Sequence, residues 1–249
     1  MNEVIQNKLI KTCTLPVLKI IENYTFKNAD HINLVSEGFK GYFSKYSLPK
    51  YTFYTNGIDE DFTDLPSSIK NTTEQYTITY AGNIGEGQGL HKIIPKAANK
   101  LGSKYKFIII GDGGAKEKLI REMEKLENSN VEILEPVNRS ILKEYYAKSD
   151  FLFLHLNDFK AFEKVLPSKV FEYGAYDKPI IAGVAGYAHK FIETNIENHI
   201  LFMPGDSEVL VNKLTSYQLK FHNRTSFVSK FNRRAILNRM AGSILNLKP

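Results

Sequence analysis

The 249-residue chain has 43% hydrophobic residues and a net charge of +6, a composition that fits one large or two small globular domains and excludes a disordered polymer. Its single cysteine, Cys13, excludes an internal disulfide, and no apolar run reaches the roughly 18 residues of a membrane span. Since the first residues also lack the layout of a signal peptide, we expect a cytoplasmic protein.

The first 58 residues predict a small unit of helices and strands. Apolar spacing predicts a helix over 4–27, which Pro16 kinks or splits. A strand over 32–36, a helix over 37–46 and a strand over 51–54 follow, and Asn56-Gly57 marks a turn. Residues 59–75 are polar and make the best linker in the chain. The sequence therefore predicts a first domain over 1–58 and a second over 59–249.

Strands and helices alternate regularly in the second predicted domain. The predicted strands cover 76–80, 105–110, 131–134, 151–154, 180–182 and 200–203, with helical patterns between them. Such alternation is typical of an α/β fold with a Rossmann-like, doubly wound parallel sheet. In a sheet of this kind, ligands bind at the carboxyl ends of the strands.

The end of the chain is basic and amphipathic. The basic residues are Lys220, Arg224, Lys230, Arg233, Arg234, Arg239 and Lys248, and the apolar residues at helical spacing are Phe227, Phe231, Ile236, Leu237, Met240 and Ile244. These positions predict a C-terminal amphipathic helix. Its basic face is either simply solvated or in peripheral contact with anionic lipid at the inner face of the membrane, and its apolar face is also suited to a partner domain.

Two glycine-rich loops follow predicted strands. The first runs from Gly82 through Asn83 and Gly85 to Gly89, and the second contains Gly111 and Asp112. Glycines let backbone amides approach a phosphate closely, and Asp112 is a candidate cap for the next helix. The first loop has neither the Gly-Lys-Ser/Thr ending of a phosphate loop nor the GxGxxG spacing. A plain turn therefore stays open as the alternative at both places.

A third loop carries charge. Pro167-Ser168-Lys169 precedes a helical run that contains Glu172. A loop that leads into a helix offers free N–H groups and a positive dipole end to an anion such as a diphosphate, while Ser168 adds a hydroxyl and a cap and Lys169 a cation. Glu172 is placed one turn later to accept hydrogen bonds from a sugar diol, unless it is an ordinary surface glutamate. This combination predicts a nucleotide-sugar site.

Other chemistries have no matching pattern. The six histidines, at 31, 91, 155, 189, 199 and 222, form no HxxxH pair and have no cysteine nearby, so we expect turn or surface residues and no metal. The sequence has no GxSxG elbow for a nucleophilic serine and no nucleic-acid-binding motif. We expect no cofactor, because a nucleotide-sugar would be a substrate.

The motifs appear in the order of a known family. Tyr80-Ala-Gly-Asn-Ile-Gly85, then Ile110-Gly-Asp-Gly113, then Pro167-Ser-Lys-Val-Phe-Glu-Tyr173 with Lys178-Pro-Ile-Ile181 resemble the C-terminal lobe of retaining GT-B glycosyltransferases. The nearest group is family 4, in its bacterial surface-polysaccharide branch, and the resemblance covers about residues 25–245.

This resemblance implies a site and a reaction. Two Rossmann-like lobes would face a cleft, and the C-terminal lobe would bind a nucleotide-sugar, often a UDP-sugar, for transfer to a saccharide or lipid-linked acceptor. Lys169 and Glu172 would be the catalytic residues. The residues implied to bind the donor are Gly82, Asn83, Gly85, Gly111, Asp112, Val137 near the base, Ser168 and Lys169 at the diphosphate, and Glu172 at the ribose.

The chain departs from the family pattern in two ways. The first glutamate of the family pair falls at Lys164, with Glu163 one residue off, and the usual basic clamp near Asn83 and Gln88 is absent, so that Lys169 replaces part of that charge. Residues 28–59 resemble only the end of the N-terminal acceptor lobe. The resemblance therefore implies a donor-binding lobe with a remnant of its partner, whether an excised piece, a truncated gene product or one subunit of a split enzyme.

From these patterns we expect a retaining glycosyltransferase, or its donor-binding part, in O-antigen or capsule synthesis. A separate subunit would then supply the N-terminal lobe. One alternative is a non-catalytic nucleotide-binding or assembly subunit. Another is a sugar-nucleotide epimerase, although the expected pairing of a histidine with a carboxylate is not evident in the sequence.

Overall fold

A computed structural model describes residues 14–63 and 74–247. These residues form a six-stranded and a two-stranded sheet, and all strand pairs in both are parallel. The α/β prediction is thus confirmed. The strands are β1 His31–Leu34, β2 Lys50–Phe53, β3 Tyr76–Ala81, β4 Tyr105–Ile110, β5 Val131–Leu134, β6 Phe151–His155, β7 Ile180–Gly183 and β8 His199–Phe202.

Helices connect the strands. They are α1 Leu15–Lys27, α2 Lys40–Phe43, α3 Leu90–Leu101, α4 Lys116–Lys125, α5 Arg139–Lys148, α6 Lys169–Gly174, α7 Gly186–Asn195, α8 Ser207–Ser216, α9 Thr225–Lys230 and α10 Arg233–Leu245. Short 3₁₀ helices cover Glu37–Phe39, Glu60–Phe62, Gly102–Lys104 and Lys160–Lys164.

The order of the large sheet determines where a ligand can bind. The strands run β5-β4-β3-β6-β7-β8, so the chain builds outward in one direction from β3 and then returns to build outward from β6. Alternate side chains serve two cores: Phe151 and Phe153 of β6 enter one, and Leu152 and Leu154 enter the other. The crevice at the carboxyl ends of β3 and β6 is the switch point, where open parallel sheets bind ligands.

Part of the first predicted helix lies within the described residues. A helix there begins at Leu15 with Pro16 in its first turn, which is the position that the predicted split at Pro16 requires. Proline is tolerated there because the first N–H groups of a helix have no partner within the helix. The predicted residues 4–13 lie outside the described part of the chain. The predicted helix over 37–46 is a 3₁₀ turn followed by the four-residue α2.

The predicted C-terminal helix is two helices, α9 and α10. Asn232 separates them, since its side chain accepts a hydrogen bond from the N–H of Ala235 and caps α10. Phe227, Phe231 and Ile236 are buried, whereas Leu237 is 53% exposed. The apolar set therefore divides between the core and the surface. Lys248 lies outside the described residues.

One basic residue of the tail is not on a solvated face. Arg224 is buried and donates from Nε to the carbonyl of Tyr176 at 3.2 Å, and its guanidinium also bonds to Asn198 Oδ1. Burial lowers the pKa of Arg224 to about 10. This arginine fastens the start of the C-terminal segment to the loop before β7.

The C-terminal segment also returns to the first part of the chain. Ile58 and Asn232 form a β-bridge, in which the N–H of Ile58 donates to the carbonyl of Phe231 at 2.7 Å. Arg233 pairs with Asp59 at 2.8 Å. The boundary at residue 58 therefore lies where the last helix joins the first unit, and the division into two domains stays a prediction. Much of the predicted linker, residues 64–73, lies outside the described part.

Candidate functional site

The first glycine-rich loop follows β3 and is held in place by hydrogen bonds from Tyr80 and between its own residues. The buried hydroxyl of Tyr80 donates to the carbonyl of Asn83 at 2.7 Å, and the Asn83 side chain donates to Gln88 at 2.9 Å. The same Gln88 oxygen accepts the N–H of Gly85 at 3.2 Å. Within the described residues, the N–H of Asn83 donates to no protein acceptor. The loop is thus fixed while it keeps a free donor for an anion.

The second loop approaches the first so closely that Gly111 and Gly113 leave no room for a side chain. A Cβ added to Gly111, whose φ is +150°, would lie 1.9 Å from the carbonyl oxygen of Gly82. A Cβ on Gly113 would lie 2.5 Å from the side-chain oxygen of Asn83. The N–H of Ile84 also bonds to the carbonyl of Asp112 at 2.7 Å. The two predicted loops therefore form one surface at the ends of β3 and β4.

The charged loop brings its cation to that surface. The Nζ of Lys169 lies 2.7 Å from a carboxylate oxygen of Glu172, and Lys169 Cε lies 3.7 Å from the point that a Cβ on Gly82 would occupy. Both side chains are about one quarter exposed, 25% and 22%. The sequence predicts both residues in one site, and the structure places them together, paired with each other.

Four buried tyrosines lie next to this site, and the sequence patterns did not predict their place there: Tyr80, Tyr146, Tyr173 and Tyr176. Tyr146 of α5 lies 3.4 Å from Lys169 Nζ and meets the rings of Tyr173 and Tyr176 edge-on at 5.3 and 5.4 Å. The Tyr173 hydroxyl accepts the N–H of Ala81 at 3.1 Å. Burial raises the pKa of Tyr80, Tyr146 and Tyr173, so their hydroxyls stay protonated. Only the spatial order of the strands brings α5 beside α6, and no local sequence pattern carries that order.

Three other predicted site residues lie at this edge of the sheet, and two of them lack the helix-capping contacts that were predicted for them. Ser168 is exposed at the first turn of α6, and its side chain makes no capping hydrogen bond, so the predicted cap is wrong. Asp112 does not cap α4 either, since Ala115 holds the cap position and the Asp112 carboxylate lies 3.9 Å from Lys116. Val137 is half-buried in the loop after β5, at the same edge of the sheet.

The length of α6 changes the electrostatic argument. The helix has six residues. Because the dipole is a sum over aligned peptides, so short a helix contributes less positive charge at its start than a long one. Lys169 therefore supplies most of the positive charge that this loop offers to an anion.

His155 is a structural residue at the end of β6, contrary to the prediction that the histidines lie in turns or at the surface. It is 1% exposed. Its Nε2 accepts the N–H of Gly205 at 3.0 Å, so its Nδ1 carries the proton and donates to the carbonyl of Gln88 at 2.6 Å. Burial lowers the pKa of His155 to about 4, and the ring is neutral near pH 7. It ties the first glycine-rich loop to the loop after β8.

Lys164, at the position of the missing family glutamate, contacts residues of the first unit. The carbonyl of Lys164 accepts the Ser36 hydroxyl at 2.9 Å, and its Nζ lies 5.2 Å from the centre of the Tyr42 ring. Glu163 is exposed, and its backbone packs against Gly186. This 3₁₀ segment joins the first unit to α7.

Among the described residues, no three His, Cys, Asp or Glu side chains converge on a point that suits a metal ion. No helix among residues 14–63 and 74–247 combines the length and the apolar character needed to cross a membrane.

Comparison with protein families gives one match by sequence. Residues 61–228 match the family profile described as glycosyl transferases group 1, which is more than half of the chain. The matched range contains both glycine-rich loops and the Lys169–Glu172 pair. A search of curated proteins found no match.

Solved structures share the fold at low sequence identity. HepE of Anabaena, solved with UDP and glucose, is 17% identical over 92% of this chain and 67% of its own, with a TM-score of 0.74. Sucrose-phosphate synthase of Thermosynechococcus elongatus is 14% identical over 92% and 61%, with a TM-score of 0.73. The lipopolysaccharide outer core galactosyltransferase WaaB is 16% identical over 86% and 62%, with a TM-score of 0.66. The chain thus spans about two thirds of the length of these structures.

Proposed function

The chain belongs to the group 1 glycosyl transferases, and from this premise we propose that it binds a UDP-sugar in the crevice above β3 and β6 and takes part in retaining transfer of the sugar. Within the group we place it near family 4, in the surface-polysaccharide branch. The acceptor would be a saccharide or a lipid-linked sugar of O-antigen or capsule synthesis.

One observation carries the proposal. Two glycine-rich loops, a lysine and a glutamate from separate parts of the sequence meet at the switch point of the sheet. The glycines let backbone amides approach a diphosphate closely, and Lys169 supplies positive charge to it. Glu172, one helical turn after Lys169, is placed to accept hydrogen bonds from the ribose hydroxyls. Val137 follows the outermost strand of this half of the sheet, β5, and supports a base at that side.

The same residues suggest how the transfer is assisted. As the bond between the sugar and the diphosphate breaks, negative charge grows on the leaving phosphate. Lys169 and the amides of Asn83 and Gly113 would stabilise that charge without reorganisation. In retaining transfer the acceptor hydroxyl approaches the face from which the phosphate leaves. Because Lys169 supplies positive charge, we expect no metal to be required, and EDTA should leave the transfer rate unchanged.

The names of the fold relatives support the donor and the pathway. HepE was solved with UDP and glucose and also with UDP-glucose, and WaaB is described as a lipopolysaccharide galactosyltransferase. These names favour a UDP-sugar donor and a surface-polysaccharide acceptor. We also propose that an acceptor-binding lobe cooperates with this chain, from a separate subunit or from the same polypeptide. Peripheral contact of the basic C-terminal helix with the inner membrane face is part of the same proposal.

Nucleotide titration tests the proposal. Thermal-shift and calorimetric titrations with UDP, GDP and ADP should show selective binding of UDP, and ligand at 100 times its Kd should stabilise the fold by about 2.7 kcal/mol. Absence of binding by any of the three would contradict the proposed function. Binding of UDP without transfer from UDP-glucose or UDP-galactose, even with a cognate acceptor lobe, would favour the non-catalytic nucleotide-binding subunit.

A further inference from the structure

Two of the buried tyrosines touch the parts of the site that a diphosphate would contact. The Tyr80 hydroxyl bonds to the Asn83 carbonyl at 2.7 Å, and the Tyr146 hydroxyl lies 3.4 Å from Lys169 Nζ. Tyr80 is 3% exposed and Tyr146 is 0% exposed. Neither ring has a face open to a ligand, so each hydroxyl acts through the group that it holds.

The Tyr80 contact determines where the first loop presents its donors. The hydroxyl lies 3.2 Å from the point that a Cβ on Gly82 would occupy, directly beneath the loop. Gly82 has a φ of +151°, a conformation that the loop must retain without help from a side chain of its own. The Asn83 carbonyl and the Ile84 N–H belong to one peptide group, and this N–H donates to the Asp112 carbonyl at 2.7 Å, so the group is held at both ends. The N–H of Asn83, on the preceding peptide, has no acceptor among the described residues and is available to an anion.

The Tyr146 contact acts on the cation. Lys169 has a flexible stem, and its ammonium is drawn to Glu172 at 2.7 Å. A second contact from the buried side keeps the ammonium beside the glycine-rich loop when Glu172 turns to another partner. The Tyr146 ring is itself fixed by edge-on packing against Tyr173, which bonds to the end of β3. The first glycine-rich loop and Lys169 are therefore both positioned relative to β3.

We propose that Tyr80 and Tyr146 are positioning residues of the diphosphate subsite, Tyr80 through the Asn83 backbone and Tyr146 through Lys169. This inference rests on the proposed function, since it assumes that a diphosphate binds there. It assigns a role to two residues that never touch the ligand.

Tyr176 provides a matched control. Its ring also meets Tyr146 edge-on and is 2% exposed, but its hydroxyl has no hydrogen-bond partner among the described residues. Tyr176→Phe therefore removes a buried hydroxyl from the same cluster without breaking a bond. It should leave ligand affinity unchanged and stability equal or higher.

The test compares two ligands that differ only in phosphate. Calorimetric titrations measure UDP and uridine binding to wild type, Tyr80→Phe, Tyr146→Phe and Tyr176→Phe. Loss of one hydrogen bond that orients a binding group should weaken UDP by about 3- to 10-fold in the first two variants. Uridine should change by less than about 2-fold, whereas a general loosening of the fold would weaken both ligands.

Combination with Lys169→Met separates the two routes. In that background Tyr146→Phe should have no further effect on UDP, while Tyr80→Phe should keep its effect. If wild type binds no UDP, the proposed function fails and this inference fails with it. If wild type binds UDP but the two variants bind it as tightly as Tyr176→Phe does, only the positioning inference is overturned. Should Tyr80→Phe not fold, the Tyr146→Phe result decides.

Discussion

Replacement of Glu172 by alanine should have opposite effects on two ligands. In the free protein the carboxylate pairs with Lys169 at 2.7 Å. In the proposed complex it leaves Lys169 to the diphosphate and accepts hydrogen bonds from the ribose. Glu172→Ala removes the ribose contact, but it also frees Lys169 before the ligand arrives. A nucleotide and an inorganic diphosphate should therefore respond differently.

The magnitudes follow from the geometry. Hydrogen bonds to a charged group contribute about 1.5–3 kcal/mol, so loss of the ribose contact weakens UDP by roughly 10- to 150-fold. Both partners of the ion pair are about one quarter exposed. Such a pair is worth at most about 1 kcal/mol, so its removal strengthens diphosphate binding by at most about 5-fold. The ribose effect is the larger, and the net loss for UDP is about 2- to 150-fold.

Isothermal calorimetry with UDP and with pyrophosphate checks the prediction. Glu172→Ala should weaken UDP and leave pyrophosphate equal or up to about 5-fold tighter. A matched control is Glu144→Ala, which breaks a well-exposed ion pair with Lys148 on α5 and should change neither ligand by more than 2-fold. A parallel loss of UDP and pyrophosphate affinity would refute the argument, because it would mean that Glu172 acts on the phosphates or on the fold.

Three further variants test the parts of the fold that support the site. Gly111→Ala should cost about 3 kcal/mol or more in urea unfolding, since its Cβ would lie 1.9 Å from a backbone oxygen and its φ is +150°; Gly114→Ala, with open space around it, should cost less than about 0.5 kcal/mol. Arg224→Ala should cost about 2–4 kcal/mol by the same measurement because it orphans buried acceptors, whereas Arg234→Ala, at 77% side-chain exposure, should be nearly neutral. His155 has a folded pKa of about 4, below the ordinary 6.5, so the stability it confers is complete above about pH 6.5 and falls by about 3 kcal/mol as the pH drops to about 4; His155→Gln should flatten this part of the urea-unfolding pH profile.

Equal unfolding free energies for the two glycine variants would contradict the close approach of the loops. If Arg224→Ala left the free energy of unfolding unchanged, the hydrogen bonds of the buried guanidinium would only offset the cost of its desolvation. An unchanged pH profile in His155→Gln would place the acid sensitivity in other groups.

The sequence predicted the sheet and the nearness of Lys169 to Glu172 because both depend on short-range patterns, although it did not predict their ion pair. Parallel strands buried on both faces read as apolar runs, as in Tyr105–Ile110. Lys169 and Glu172 are three residues apart, so a helix places them on one face whatever the rest of the fold does. The glycine clusters after strands predicted an approach to a phosphate, whereas the close approach of the two loops to each other was not predicted.

Features that depend on strand order could not be predicted. The contact of Tyr146 with Lys169 requires that β6 lie beside β3, and this order has no local signal. Arg224 reads as one more cation in a basic tail, and only its tertiary neighbours bury it. The division between α9 and α10 could have been predicted from the sequence, since Asn232 is a good capping residue before a helical run.

The bridge between Ile58 and Asn232 has a consequence for the order of assembly. The two residues are 174 positions apart (232 − 58), and Ile58, which is fully buried, donates its N–H to the carbonyl of Phe231. At a synthesis rate of roughly 5–20 residues per second, the ribosome needs about 9–35 s to make the covering segment after Ile58 is made. During that interval the N–H of Ile58 lacks the acceptor that it has in the folded protein. The bridge thus closes only after all six strands of the large sheet have been synthesised.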